Sequence, residues 1–325
     1  FAPSGDKNDP RDAAALLDLI QRHPEKVKPH VAACARDRAM DQLTKARRQS
    51  INELTAVVSS LREVLELYYP IASKMFDDLS TQLAINFLRR WPDPAHLLKA
   101  REATLVKFFH QHNCRSQACV EKRLELVRGC TAETQAPELL GVGRLRIEAH
   151  LKQIESLNLS IRAYEEALEA AFEKHEKRHL FDGLPGAAKA LAPRLLAAFS
   201  ILDPKDANEM QLVCGIAPIR VQSGQRSYTF MRQRCPKFLR QSFHEFAGAS
   251  VKSSAWAKAY YERQTKDRKS GSNAAKRALA YKWIRILTAC WINNTPYNEM
   301  KYIAQLQKRN PKLAELIFQN NACTE

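Results

Sequence analysis

Glycine is scarce in this chain, ten in 325 residues, and no long apolar run is present. Sparse glycine beside abundant Ala, Leu, Lys, Arg and Glu points to a mainly helical fold. Without an apolar run or a signal peptide, nothing in the sequence crosses a membrane, and a soluble, cytoplasmic protein is expected. A regular cysteine framework is also missing. The eight cysteines show no repeating spacing, and Cys34, Cys214, Cys235, Cys290 and Cys323 are isolated, which argues against a disulfide scaffold in a chain of this size. The only cluster, His110, His112, Cys114 and Cys119, offers zinc two imidazoles and two thiolates. Those ligands lie too close together in sequence to resemble a standard finger.

Acid is in short supply as well. The chain carries 51 Lys or Arg against 35 Asp or Glu, a net +16 with an isoelectric point near 9.6, and so implies a polyanionic partner. The excess is local: from Ala217 to Arg285 there are sixteen basic residues and three acidic ones, a net +13. Aromatic residues are interleaved with this charge (Tyr228, Phe230, Phe238, Trp256, Tyr260, Tyr261, Trp283, Trp291). Bases could stack on such rings, but packing in a core is their commoner use.

The densest information lies between Cys214 and Arg240. Gly215 and Pro218 should end a helix and turn the chain. Ile219–Val221 and Tyr228–Phe230 then read as two short strands around a turn at Ser223-Gly224-Gln225, which places one hydroxyl at a hairpin tip. Arg220, Arg226, Arg232, Arg234, Lys237 and Arg240 surround it, so a phosphate of a polyanion would be met there. Taken alone, Gln-Ser-Gly is ordinary turn chemistry. His244, about twenty residues on, is a candidate base or a satisfied histidine.

Elsewhere the pattern is helical. Ile51, Leu54, Val58, Leu61, Leu65 and Tyr68 recur at alternating spacings of three and four, a coiled-coil seam that Pro70 closes. Ile147, Ile154, Ile161 and Leu168 lie seven residues apart, and Leu151, Leu157, Tyr164 and Phe172 widen that face. The two long helices should pack antiparallel on each other or on another protomer, burying Ile51, Leu54, Leu61, Ile154 and Ile161. Shorter helices fill residues 71–130. LPGAAKALAPRLLAAF, from Leu184, resembles a helix-hairpin-helix whose hairpin amides, at Gly186 and beside Lys189, bind a backbone phosphate; its usual second glycine is Ala188. A charged loop spans Lys266–Asn273, and a last helix over Met300–Gln307 is followed by a polar tail. The expected units are residues 1–27, 28–180 and 181–325.

In that order, GIAPIRVQSG, CPKFLRQSFHEFA, SAWAKAYYERQ and RALAYKWIRILTACW resemble the C-terminal domain of the DEDD-type insertion-sequence transposases. These form the IS-one-ten and Piv-like group, also described as bridge-RNA-guided serine recombinases. The resemblance implies that Ser223, just before the turn glycine, is the nucleophile that becomes linked to a DNA phosphate.

Near the start, Lys7-Asn8-Asp9-Pro10-Arg11-Asp12-Ala13 precedes an apolar run. Asp9 fits an N-cap, Pro10 the first helical position and Asp12 the third, so capping alone accounts for both acids. The same geometry lets two carboxylates share a divalent cation. FAPSGDKNDPRDAAALLDLI resembles the end of the transposases' RuvC-like α/β domain, where Lys-x-Asp-x-x-Asp-Ala supplies the last two of four metal-binding acids. By that resemblance Asp9 and Asp12 are metal ligands, for Mg2+. The earlier Asp and Glu are not in this sequence, so the expectation is a remnant of that domain at residues 1–27 and a poor catalyst in isolation. The expected function is DNA transposition through a phosphoserine intermediate. A structured guide RNA is an implied partner, and another protomer of a homo-oligomer would complete the site. The alternatives are a truncated, inactive nucleic-acid-binding protein and, more remotely, a coiled-coil scaffold.

Overall fold

The computed structural model describes residues 9–27, 32–130, 136–266 and 271–322, with the side chains of 26 and 318–322 left aside. Helix α1 (Asp9–Arg22) carries Asp9 and Asp12 in its first turn and Arg22 in its last, as the helix dipole favours. It includes Asp9 itself, one position earlier than a cap there would set it, and no capping hydrogen bond from either acid occurs among the described residues. None of its residues is buried, and Leu16, Leu17 and Ile20 are 60, 56 and 54% exposed.

The first heptad pattern becomes α2 (Ala35–Tyr68), a single helix of 34 residues. Pro70 then opens α3 (Pro70–Met75), and four helices follow: α4 (Gln82–Arg90), α5 (Pro94–Leu98), α6 (Glu102–Gln111) and α7 (Gln117–Arg128). Thr81 and Asp93 cap α4 and α5 by accepting from the amides of Ala84 and His96. The second pattern becomes α8 (Pro137–Glu173), 37 residues long. At the rise of an α-helix these two elements are about 51 and 56 Å long.

They run antiparallel, in contact along their length. Asp37 meets His175, Arg47 Nη2 lies 2.5 Å from Glu165, and a Cβ on Gly143 would fall 2.9 Å from the ring of Tyr68. Leu61 and Ile154 are fully buried in the seam, whereas Ile51, Leu54 and Ile161 are half-buried. In the middle of the pair two helices cover only one side of each other, and Leu159 is 67% exposed there.

Two hydrophobic cores sit at opposite ends of the pair. At one end Leu61, Leu65, Ile147, Leu151 and Ile154 join α3–α7 around Phe76, Phe87, Trp91, Phe108 and Phe109. Phe87 lies at the centre, 5.1 Å from both Phe76 and Trp91. Arg89 fastens α4 to α8 through Glu148 and Glu155. At the other end Met40, Leu168 and Phe172 enter a core with the C-terminal helices. These are α9 (Ala188–Leu202), α10 (Ala207–Val213), α11 (Lys237–Ser250), α12 (Ala255–Lys266), α13 (Ser272–Ile292), α14 (Glu299–Arg309) and α15 (Pro311–Ala322). A two-stranded antiparallel hairpin, β1 (Ile219–Ser223) and β2 (Arg226–Phe230), stands between α10 and α11.

Three tryptophans order the second core, each with its indole N–H satisfied: Trp256 by Tyr297 Oη at 2.7 Å, Trp283 by Ser250 Oγ at 2.8 Å and Trp291 by Asp203 at 2.9 Å. The tail expected to be polar is instead α15, packed on α12 with Leu313, Ala314 and Ile317 buried. Those apolar residues fall on one face of a helix, a spacing that the flanking Asn and Gln obscure. Among the described residues, no helix is long and apolar enough to cross a membrane.

Buried polar groups tie the pair to the C-terminal body. His175 Nδ1 accepts the amide of Lys177 at 3.1 Å, so Nε2 carries the proton and donates to Asp37 Oδ1 at 3.0 Å. Arg194, 8% exposed, donates to Ser242 Oγ at 2.6 Å and to Glu245 at 2.7 Å, while Arg48 of α2 reaches the same carboxylate at 3.3 Å. Replacing His175 by Ala leaves Asp37 without its donor, and is expected to lower stability by about 2 kcal/mol. Denaturant unfolding followed by circular dichroism measures this, and an unchanged midpoint would contradict the linkage.

Candidate nucleic-acid interface

The hairpin is rooted in the core and free at its tip. Below it, Cys214, Ile216 and Ala217 are buried, and the amides of Ile216 and Ala217 both donate to Gln211 O, at 3.1 and 3.0 Å. Gln211, 1% exposed, donates in turn to Tyr281 O of α13 at 2.8 Å. Gly215 has φ +67°, and a Cβ there would lie 2.2 Å from Cys235 Sγ, in the bend between β2 and α11. Arg240 closes the base by donating to Arg232 O at 2.8 Å.

Above this base every residue of β1 and β2 is exposed. The register pairs Ile219 with Phe230, Val221 with Tyr228 and Ser223 with Arg226. Directly opposed residues share a face, so one face carries four apolar side chains and ends in Ser223 beside Arg226. The other face is polar: Arg220, Gln222, Ser227 and Thr229. Gly224 occupies the first central position of the two-residue turn at φ +57°, and Gln225 is not among the positive-φ residues, the pattern of a type II′ turn. The hairpin read from sequence is therefore present, with the serine one residue before the turn. Val221, Tyr228 and Phe230 are 47, 49 and 55% exposed, so nothing within the described residues covers the serine-bearing face.

The cations around it are mostly uncommitted. Arg220, Arg226, Arg232, Arg234 and Lys237 form no ion pair with a described carboxylate, and the half-buried Arg232 has an Nε without a hydrogen-bond partner. No His, Asp or Glu among the described residues is hydrogen-bonded to Ser223. His244 sits half-buried on α11, where burial first, and then Lys276 and Arg277, hold its pKa below the usual histidine value against a backbone hydrogen bond at Asn273. The tryptophans of this segment and Tyr260 belong to the core, which leaves Tyr228 and Phe230 as the exposed rings beside Ser223.

The glycine hairpin before α9 takes unusual backbone angles. Gly183 and Gly186 have φ +75° and +80°, and Ala188, where the resembled motif has its second glycine, has φ +31°. What precedes the turn is a single 3-10 turn at Arg178–Leu180. A Cβ on Gly186 would meet the backbone of Ala249 at 2.6 Å, so this glycine lets the turn pack onto the end of α11. Lys189 is exposed and paired with Glu169 at 2.8 Å.

Asp9 and Asp12 lie together on the first turn of α1, both exposed. The fold does not pack α1 against the hairpin. Two carboxylates three positions apart fit the sparse protein ligation of Mg2+, which keeps several waters. Among the described residues no group of three or more His, Cys, Asp or Glu gathers to hold a metal, and that includes the cluster at 110–119. Cys114 there accepts from Arg123 at 2.7 Å, and His112 packs on Phe108. Of the loop expected at Lys266–Asn273, residues 267–270 lie outside the described residues.

Two family models match the chain. Residues 178–262, which contain the glycine hairpin and Ser223, match the family described as transposase IS116/IS110/IS902. Residues 1–70, which contain Asp9 and Asp12, match the IS110-type DEDD model described as a transposase. The "Mini-circle putative transposase for IS117" of Streptomyces coelicolor (strain ATCC BAA-471 / A3(2) / M145) is 26% identical over 313 residues, covering 92% of this chain and 74% of that protein. These likenesses support an IS110-type transposase, a class of DNA-acting enzyme.

The rigid base gives a test of the hairpin's placement. Gly215→Ala adds a clash with Cys235 to a left-handed backbone, whereas at Gly224 a Cβ meets nothing within 4 Å. The first is expected to lower global stability by about 2–5 kcal/mol and the second by about 1–2 kcal/mol. Thermal and denaturant unfolding of both variants compare the two costs, and equal losses would contradict the rooted base.

Proposed function

We propose that this protein is an insertion-sequence DNA transposase in which Ser223 attacks a DNA phosphate. The observation that carries the reading is the position of that hydroxyl. It stands at the exposed end of β1, opposite Arg226, in a segment matched to a transposase family and rich in unpaired cations. In the first step Ser223 Oγ forms a bond to phosphorus while the bond from phosphorus to one strand's terminal oxygen breaks. The hydroxyl proton is given up and the departing oxygen takes one. In the second step a hydroxyl of another strand displaces Ser223 and restores a phosphodiester.

We assign Arg226, the register partner of Ser223, to the phosphate oxygens at the moment of attack, with Arg232 and Arg234 adding positive charge nearby. Asp9 and Asp12 are the residues of this chain proposed to hold Mg2+, with further carboxylates of the set; when bound it would neutralise developing charge and favour the ionised hydroxyl. Because α1 and the hairpin are both uncovered, we place the meeting of acids and serine at a surface completed by another protomer. The exposed Leu16, Leu17 and Ile20 and the apolar hairpin face support such an arrangement. The glycine hairpin before α9 is assigned to backbone phosphate contact, supported by its positive-φ residues. Base reading is assigned to a guide RNA, as the resemblance implies.

In protein carrying the full carboxylate set, Ser223→Ala is expected to reduce strand cleavage and exchange by at least about 10^3-fold, with DNA affinity changed less than about twofold. Asp9→Asn and Asp12→Asn should likewise stop the chemistry while the fold persists by circular dichroism. Retained exchange by Ser223→Ala would move the nucleophile elsewhere. If the unsubstituted protein binds DNA but never cleaves it, the binding-only reading replaces this one.

The electrostatic part is tested separately. Affinity for DNA should fall steeply with salt, and replacing Arg232 and Arg234 by Ala should weaken binding to all sequences alike and reduce the log–log salt slope by about one to two. Salt-independent binding would contradict contact through phosphates.

A further inference from the structure

Outside both matched regions, α13 and α14 diverge from the Asn293–Asn298 connection and leave between them a cleft of about 840 Å³. The walls are built by the same spacing on both helices. Arg285 faces the cleft from α13 and Asn293 from just past its end, and Lys301, Gln305 and Arg309 face it from α14. Among the described residues no Asp or Glu lines it. The acid nearest in sequence, Glu299, is turned away, accepting from Ser254 Oγ at 2.9 Å and from the amide of Ala255 at 3.1 Å to cap α12.

Arg285, Lys301 and Arg309 are exposed and form no ion pair with a described carboxylate. Elsewhere on the surface the contrary holds for many cations: Arg47, Arg89, Arg128, Lys189 and Lys205 each sit against a carboxylate. Within the cleft, the half-buried Tyr302 has its pKa raised by burial first and then by Tyr260, while Arg285 and Arg309, from opposite walls, oppose that rise. Tyr302 lies in the same lining, between the two helices that carry these guanidiniums.

We infer that this cleft is a second nucleic-acid site, gripping a phosphodiester backbone independently of Ser223 and its hairpin. The ligand class follows from shape as much as from charge. Lys301 and Arg309 lie eight helical steps apart, about 12 Å along α14, and Arg285 lies a similar distance from the end of α13. A single phosphate would use one end of such a trough. A nucleic-acid strand, with a phosphate roughly every 3.4 Å of axis, offers three or four over that length. Asn293 and Gln305 add neutral donors between the charges.

The experiment is fluorescence anisotropy with labelled duplex DNA, single-stranded DNA and single-stranded RNA, over a series of salt concentrations. The probes are the full chain, the triple variant Arg285→Gln, Lys301→Gln, Arg309→Gln, the single Lys301→Gln, and a hairpin variant Arg226→Gln, Arg234→Gln. Exposure of the replaced side chains leaves the fold intact, and thermal unfolding verifies it. The triple variant is expected to lose at least about tenfold in affinity for one or more of the three polymers and to lower its log–log salt slope by about two to three; Lys301→Gln should lower it by nearly one. The polymer whose slope falls identifies the strand type. Unchanged affinity and slope for all three polymers would overturn the inference. Loss in the hairpin variant alone would also overturn it and leave the reading of Ser223 standing. Loss in the cleft variants alone would support the cleft while removing the hairpin's part in binding.

Discussion

Along the seam between α2 and α8, apolar side chains spaced by three, four and seven residues meet over helices about 50 Å long, and the two hydrophobic cores of the described residues are built on its two ends. Neither helix has an apolar face that it can bury alone. Leu61, Leu65, Ile147, Leu151 and Ile154 are buried only because α3–α7 close around one end, and Met40, Leu168 and Phe172 only because the C-terminal helices close around the other. Between the ends, the contact thins to half-buried residues reinforced by Arg47 with Glu165. Polar links make the attachment directional. His175 reads Asp37 across the pair, and Glu245 gathers Arg48 of α2 and Arg194 of α9. Breaking either leaves a buried group unpaired, so the C-terminal body has a defined position on the pair.

That rigidity has a consequence for the proposed chemistry. A nucleophile on a mobile loop loses the advantage of orientation, whereas the hairpin base is held by Gln211, by Gly215 against Cys235 and by Arg240 on Arg232 O. Only the upper strands are exposed, and they expose apolar side chains with the serine. An uncovered face of Val221, Tyr228 and Phe230 is costly in water unless a partner covers it during function. The uncovered apolar face of α1, which bears the two acids, has the same property. Among the described residues, then, neither half of the proposed site is covered.

Much of this was legible in the sequence, for identifiable reasons. The seven-residue spacing of Ile147, Ile154, Ile161 and Leu168 is a direct print of a helix face, and Gly224 between β-prone residues is a direct print of a hairpin turn. Three things were not legible. Helix α15 looked polar because its buried Leu313 and Ile317 sit among Asn, Gln and Lys. The half-burial of Ile51 and Ile161 depends on how far a third element extends over the pair, which heptad spacing does not encode. The cationic cleft depends on the divergence of α13 from α14 and on Glu299 turning away to cap α12; the charges were visible, but not that they face one another. Ser223 was legible as a turn hydroxyl from pattern, and its proposed role as nucleophile rests on resemblance.

The central claim is that Ser223 becomes covalently joined to DNA. The direct measurement is to trap the reaction of protein carrying the full carboxylate set on a nicked suicide substrate, digest the product and map the nucleotide-bearing peptide by mass spectrometry. The account predicts a single adduct on the peptide containing Ser223, absent when magnesium is chelated. An adduct on any other residue, or cleavage that proceeds with no adduct at all, would contradict it.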